Sequence, residues 1–183
     1  MNLFWQTGYR ATSMQMLVDV TGLNRSSLYN TFGTKDALFL SSVERYLEKI
    51  NRVRLQKMKS NDSPRKGIEV FFNDVIDFAT GDGKKLGCLL TNSAIELGNV
   101  EGKIQQRLYG VFKTVEDEFT AVIKRGQQSG GIATTQKART TARFLVTQLQ
   151  GLRVMSRVNP KKDWLRSSLI LAMGVLDNKA KVA

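Results

Sequence analysis

Helical periodicity, with almost nothing to interrupt it, is the strongest constraint on this chain. Only 2 of its 183 residues are prolines. Apolar side chains recur at three- and four-residue spacing along most of its length, the pattern of helix faces turned toward a core. From Lys35 to about Lys59 neither glycine nor proline breaks a stripe of Leu38, Phe39, Val43, Tyr46, Leu47 and Ile50, which predicts one long helix. Pro64 stands near the start of the next, about Arg65 to Ala79, whose apolar face is Ile68, Phe71, Phe72, Val75, Ile76 and Phe78. A buried central helix is expected over Leu86 to Leu97 and ends at Gly98 and Asn99. Longer helices follow at about Glu101 to Gln127, Thr134 to Arg157 and Lys161 to Asp177, separated by the glycines after Ser129 and by Asn159 and Pro160. No strand alternation longer than a few residues competes. The chain reads as all-α.

Composition narrows the chemistry. There is no histidine and one cysteine, Cys88, so neither a Ser-His-Asp triad nor a disulfide framework can be built. Glu116, Asp117 and Glu118 are consecutive and point around a helix instead of converging, which makes them a solvated acidic face. No catalytic residue, metal site or cofactor is expected. No apolar run approaches the roughly 20 residues that cross a bilayer, and no basic leader with a long apolar stretch opens the chain. A cytoplasmic protein without a membrane partner is the expectation.

The 28 Lys and Arg against 16 Asp and Glu give a net charge of +12, which favours a polyanionic partner, nucleic acid first. That charge is unevenly placed: residues 1–46 carry a net of +1 and the remainder +11. One basic run, Lys49, Arg52, Arg54, Lys57 and Lys59, contains no acid; it suits either a solvated helix face or the attraction of an anionic partner.

Near the N-terminus, Met14, Leu17 and Val18 lie at helical spacing behind Thr12 or Ser13 as N-cap. Gly22 ends that helix, and Asn24 caps a second one through Asn30. Two short helices across a glycine turn suit the presentation of the second to a DNA major groove. Leu3, Phe4, Gly8, Tyr9, Ala11, Thr12, Ser13, Gly22, Leu28, Tyr29, Phe32, Lys35 and Leu38 stand in an order and spacing that resemble the TetR family of ligand-responsive transcriptional repressors. Val18, Thr21 and Ser26 replace small residues usual there.

The resemblance implies a helix-turn-helix DNA-binding domain over 1–46, its first helix shortened at Met1, and a larger helical effector-binding and dimerisation domain over 47–183. It implies Arg25, Ser26, Ser27 and Asn30 in the major groove with Thr31 near the rim, and Thr12, Tyr29 and Lys35 at phosphates. It implies an effector cavity bordered by Phe71, Phe72, Val75, Cys88, Leu89, Asn92, Tyr109, Phe112 and Val115, open to an unidentified small molecule. Cys88 is either a buried inert thiol or a chemical sensor. The last two long helices imply a homodimer joined through Leu145, Leu149, Leu152, Trp164, Leu169 and Met173, whose recognition helices, roughly 34 Å apart, read a near-palindromic double-stranded operator. The expected function is a sequence-specific repressor released by its effector. The alternative is a ligand-binding or interaction protein whose shortened head lacks specific DNA recognition.

Overall fold

The computed structural model describes residues 1–98, 102–159 and 161–177, and among these the regular structure is entirely helical. Asn99, Glu101 and Pro160, expected at helix boundaries, lie outside the described residues. The helices are α1 (Asn2–Thr7), α2 (Met14–Thr21), α3 (Arg25–Phe32), α4 (Lys35–Tyr46), α5 (Arg52–Lys59), α6 (Pro64–Thr80), α7 (Leu89–Leu97), α8 (Lys103–Gln128), α9 (Ala138–Val158) and α10 (Lys162–Met173), with a 3-10 turn at Gly174–Leu176. Local chemistry explains the ends. Ser13, Asn24, Thr34 and Ser63 each accept from a backbone N–H in the first turn of α2, α3, α4 and α6. Pro64 opens α6 where its missing N–H has no partner to lose. Gly22 closes α2 in the left-handed region at φ 67°.

The helix expected from Lys35 to Lys59 contains a departure: Leu47–Asn51 is a π-helical turn between α4 and α5. In α4 the buried positions are Phe39, Ser42, Val43 and Tyr46. An unbroken α-helix would continue that stripe through 50, 53, 54 and 57. Instead Asn51, Arg54, Leu55 and Met58 are buried, one residue later, while Val53 is 47% exposed. The extra residue in the π turn shifts the stripe.

The chain divides into two compact units, Met1–Asn51 with Cys88–Gly110, and Arg52–Gly87 with the chain from Val111 onward. The first therefore takes in α7 as well as the head expected at 1–46. Its core contains Phe4, Trp5, Leu17, Leu28, Phe39, Val43, Tyr46, Leu89, Leu90 and Leu97. Phe4 and Tyr9 both meet Phe39 at 5.2 Å between ring centroids, and Trp5 meets Tyr46 edge-on at 5.0 Å.

In the second unit Phe71, Phe72 and Phe119 form an aromatic trio with centroids 5.2 to 6.2 Å apart. Around them pack Ile68, Ile76, Ile123 and the inward stripes of α9 and α10. This corrects the expected dimer surface. Leu145, Leu149, Leu152, Leu169 and Met173 are all buried within their own unit, because the stripe they form is the one that closes the monomer core. Of the six expected residues only Trp164 stays on the surface, at 39%. The apolar side chains left outside are Phe144, Val154, Met155 and Val158 on α9 and Trp164, Ile170 and Leu171 on α10.

The basic run and the acidic triplet are largely spoken for. Arg54 is buried and donates to Asp74 at 2.9 Å, with its guanidinium 5.1 Å from the Phe78 ring centre. Lys57 also reaches Asp74, and Lys59 pairs with Glu118. Arg139 bridges Glu116 and Asp117, and Arg143 adds to Glu116. Three of the five cations of the run and all three acids of the triplet are thus paired, whereas Lys49 and Arg52 have no ion pair among the described residues, so both readings of the run keep a part of it.

Candidate nucleic-acid interface

α3 is fixed at both ends and free along one side. Asn24 Oδ1 accepts from Ser27 N–H at 2.7 Å, and Gly33 N–H donates to the Tyr29 carbonyl at 2.7 Å. Leu28, 2% exposed, pins the helix to the core of the head. Arg25, Ser26, Tyr29 and Asn30 are exposed, and their spacing of i, i+1, i+4 and i+5 puts them on one side of the helix. Thr31 is exposed beside them, whereas Ser27 is half-buried. Among the described residues no hydrogen bond engages the side chains of Ser26, Asn30 or Thr31, while the Arg25 guanidinium lies 5.8 Å from the Tyr29 ring centre. Arginine, asparagine and serine offer the donors and acceptors that match base edges and phosphates.

Thr12 requires a correction. It is wholly buried; its hydroxyl donates to the Gly8 carbonyl at 2.6 Å and shares a 2.7 Å hydrogen bond with Thr7. The side chain closes the α1–α2 turn and has no surface for a phosphate. Lys35 is half-buried, its ammonium 4.4 Å above the ring of Tyr9. The Tyr9 hydroxyl donates to Asp36. Burial first, and then Asp36 beside it, push the phenol up to about 12, so it stays protonated.

The segment 88–110 of this unit is tied to the head at three places. Tyr46 Oη donates to Cys88 Sγ at 3.3 Å. Arg107 donates to both oxygens of Glu44 at 2.6 and 2.7 Å, which holds that carboxyl below its usual range. Glu96 accepts from the backbone N–H groups of Tyr9 and Arg10. Sequence reasoning passed over Glu96; its one signal is that it is the sole acid between Leu86 and Leu97.

The expected effector residues divide between the units. Phe71, Phe72 and Val75 sit in the core of the second with Val115, and Phe112 is half-buried there. Cys88 and Leu89 are buried in the first, and Asn92 is half-buried. Tyr109 is 71% exposed, so it is corrected from cavity wall to surface: a ring lining a closed site would be covered. A cleft of about 440 Å³ opens in the second unit between α6 and α10, lined by Arg65, Glu69, Arg166, Leu169, Met173 and their neighbours. Its charges are internally matched, Arg65 to Asp177 and Arg166 to Asp77.

A further residue unforeseen from sequence is Arg153 of α9, 5% exposed. It occupies the core stripe at i+4 from Leu149. Its side chain has a 3.5 Å contact to Gln150, and among the described residues no carboxylate lies within ion-pair distance. A buried guanidinium strongly favours an anionic neighbour. Among the described residues no group of three or more His, Cys, Asp or Glu could hold a metal, and no helix is long and apolar enough to cross a membrane.

Comparison with known proteins adds two family matches. Residues 1–41 fit the model for bacterial regulatory proteins of the tetR family, and residues 64–169 fit the model for a tetracyclin repressor-like C-terminal domain. The HTH-type transcriptional regulator YezE of Bacillus subtilis is 28% identical over 176 residues, covering 96% of this chain and 91% of that protein. The HTH-type transcriptional repressor ComR of Escherichia coli is 27% identical, covering 86% and 75%. Among solved structures, reduced NemR of E. coli superposes with a TM-score of 0.88 at 15% identity, covering 98% of this chain and 93% of that one. A cysteine mutant of the TetR family regulator CifR, complexed with a 26-base-pair operator duplex, gives 0.83 at 23% identity, covering 95% and 91%.

Proposed function

Because the chain belongs to the TetR family, and is therefore a sequence-specific DNA-binding regulator that dimerises and answers to a small molecule, we propose that it represses by occupying its operator through the exposed side of α3. The observation that carries this reading is that α3 is capped and anchored yet leaves Arg25, Ser26, Tyr29 and Asn30 exposed together. In this reading Arg25 and Asn30 meet base edges, Ser26, Ser27 and Thr31 line the groove, and Tyr29 and Lys35 meet phosphates. The activity is binding, not catalysis.

Dimerisation in this reading uses the uncovered apolar face of α9 and α10. Phe144, Gly151, Met155 and Val158 follow one another at i, i+7, i+11 and i+14, and Trp164 and Leu171 repeat at i, i+7. Gly151 has no heavy atom within 4 Å of where a Cβ would stand, which leaves room for close helix approach. Two heads joined this way read two half-sites, and a near-palindromic operator follows from the symmetry. Arg153 supports an effector with a carboxylate or another anionic group. For release, that molecule must prefer the conformation that does not hold DNA.

The test is titration of the full chain with the duplex upstream of its own gene, against scrambled competitor at two salt concentrations. Preference for the upstream duplex, with R25A or N30A weakening it by roughly 5- to 150-fold as loss of a base contact would, is the expected result. Equal binding to both duplexes that vanishes with salt would favour the ligand-binding alternative and remove specific repression.

A further inference from the structure

Both carboxylate oxygens of Glu96 are taken by the turn that joins α1 to α2. Oε2 accepts from Tyr9 N–H at 2.9 Å, and Oε1 from Arg10 N–H at 2.6 Å. The donors are backbone groups, so the carboxylate fixes the main chain itself and not a side chain free to swing. Gly8 admits it: its φ is +86°, and a Cβ there would stand 2.8 Å from Oε2. The residue so held, Tyr9, carries Lys35 over its ring and donates its hydroxyl to Asp36. Thr12 closes the same turn through the Gly8 carbonyl, and Ser13, the N-cap of α2, follows directly. One acidic side chain of α7 thus meets the point from which α2 departs and on which the start of α4 rests.

We propose that Glu96 is the positioning residue through which α7 sets the helix-turn-helix in its DNA-binding arrangement, and that a displacement of α7 by about an ångström releases it. This rests on the chain's reading as an effector-controlled DNA-binding regulator and adds the residue and the turn through which control passes. Two hydrogen bonds to one carboxylate are geometrically coupled: a shift of α7 stretches both together, and such bonds weaken steeply beyond about 3.5 Å. Asn92, expected at the effector, lies one turn before Glu96 at i, i+4, so a molecule that moves Asn92 moves the clamp. The other two ties, from Arg107 to Glu44 and from Tyr46 to Cys88, hold α4. Neither takes the place of Glu96 at the α1–α2 turn.

E96Q separates clamp from packing. It keeps the shape, but one arm of the amide becomes a donor facing an N–H donor, so one bond is lost and a repulsion gained. The full-length chain and E96Q are compared on a duplex enriched from a random pool by the wild-type chain, alongside amide hydrogen exchange in the absence of DNA. The expected result is binding weakened about tenfold, the range for a hydrogen bond to a charged group. The slope of log affinity against log salt should be unchanged, because the phosphates met in the bound state are the same. Exchange should accelerate at Tyr9 and Arg10 and remain slow at Val43 and Phe119.

Unchanged binding with Tyr9 and Arg10 still protected overturns the proposal. So does a changed salt slope, steeper if the acid stood beside phosphates and shallower if phosphate contacts were lost with it, and so does uniform acceleration of exchange, which would make it an ordinary stability residue. A wild-type chain that enriches no duplex would instead defeat the DNA-binding reading, and the exchange measurement would still decide whether Glu96 holds the turn.

Discussion

In the head, α1, α2 and α3 have 6, 8 and 8 residues, lengths at which an isolated helix does not persist in water. They are held by directional bonds: Ser13 and Asn24 at helix starts, Gly22 and Gly33 at helix ends, Thr12 inside a turn and Glu96 across it. In the second unit α6 and α9 have 17 and 21 residues and, with the part of α8 from Val111 on, enclose Phe71, Phe72 and Phe119 within a broad aliphatic shell. Its polar bonds lie mostly at the rim, where an ion pair contributes little. Hydrophobic area stabilises the second unit, whereas geometry defines the head. A substitution in the second unit should therefore register first in stability, and one in the head first in recognition.

Phe119→Ala presses hardest on that contrast. It removes a ring from the aromatic trio and should destabilise the chain by about 3–5 kcal/mol, as large-to-small core changes do; denaturant unfolding measures it. Operator affinity of the molecules that remain folded should be unchanged. Asn24→Ala is next. Loss of the N-cap of α3 should take about 1 kcal/mol from the head, and its proportionate effect on operator titration should exceed its effect on global unfolding. If it unfolds the whole chain cooperatively without a separate loss of recognition, the two regions are not distinct in the sense drawn here.

Tyr9→Phe is the gentlest probe. Because burial and Asp36 push the phenol up to about 12 from its ordinary value of 10.0, the folded state favours the protonated form. The stability this contributes is fully present below pH 10 and falls as pH rises from 10 toward 12. Melting curves at pH 9 and pH 11 should show a drop in the wild type that is smaller in Y9F. An equal drop in both would place the alkaline sensitivity elsewhere.

The parts of this architecture that were legible in the sequence are those decided within a few residues. Ser13, Gly22, Asn24 and Pro64 announce helix ends because cap chemistry is local, and the face of α3 follows from its period. The residues expected at the dimer surface are core for a physical reason. On α9, Leu145 and Leu149 alternate with Phe144 and Met155 about a quarter-turn away, and both stripes are apolar. Which one closes the monomer depends on what packs against it. Thr12 and Glu96 were equally hidden: each acts through a backbone turn, and Glu96 lies 87 residues from its partner Tyr9. Arg153 looks in sequence like any helical arginine, and only burial singles it out.

The π turn at Leu47–Asn51 leaves the chain with a constraint on length. It accommodates one more residue than the α-helical turn it replaces, an insertion absorbed without a loop. Removing any one residue from that stretch would let the helix close regularly while Arg54, Leu55 and Met58 kept the side they now bury, because the deletion cancels the extra residue. Closing the turn regularly with every residue kept would instead rotate that stripe by about 100°, the angle of a single residue, and bring Val53 inward in place of Arg54. Side-chain replacements at the exposed Glu48 and Lys49, and the deletion of either residue, should be tolerated, whereas one further residue inserted there should not. Spacing there carries the information that elsewhere in the chain is carried by residue type.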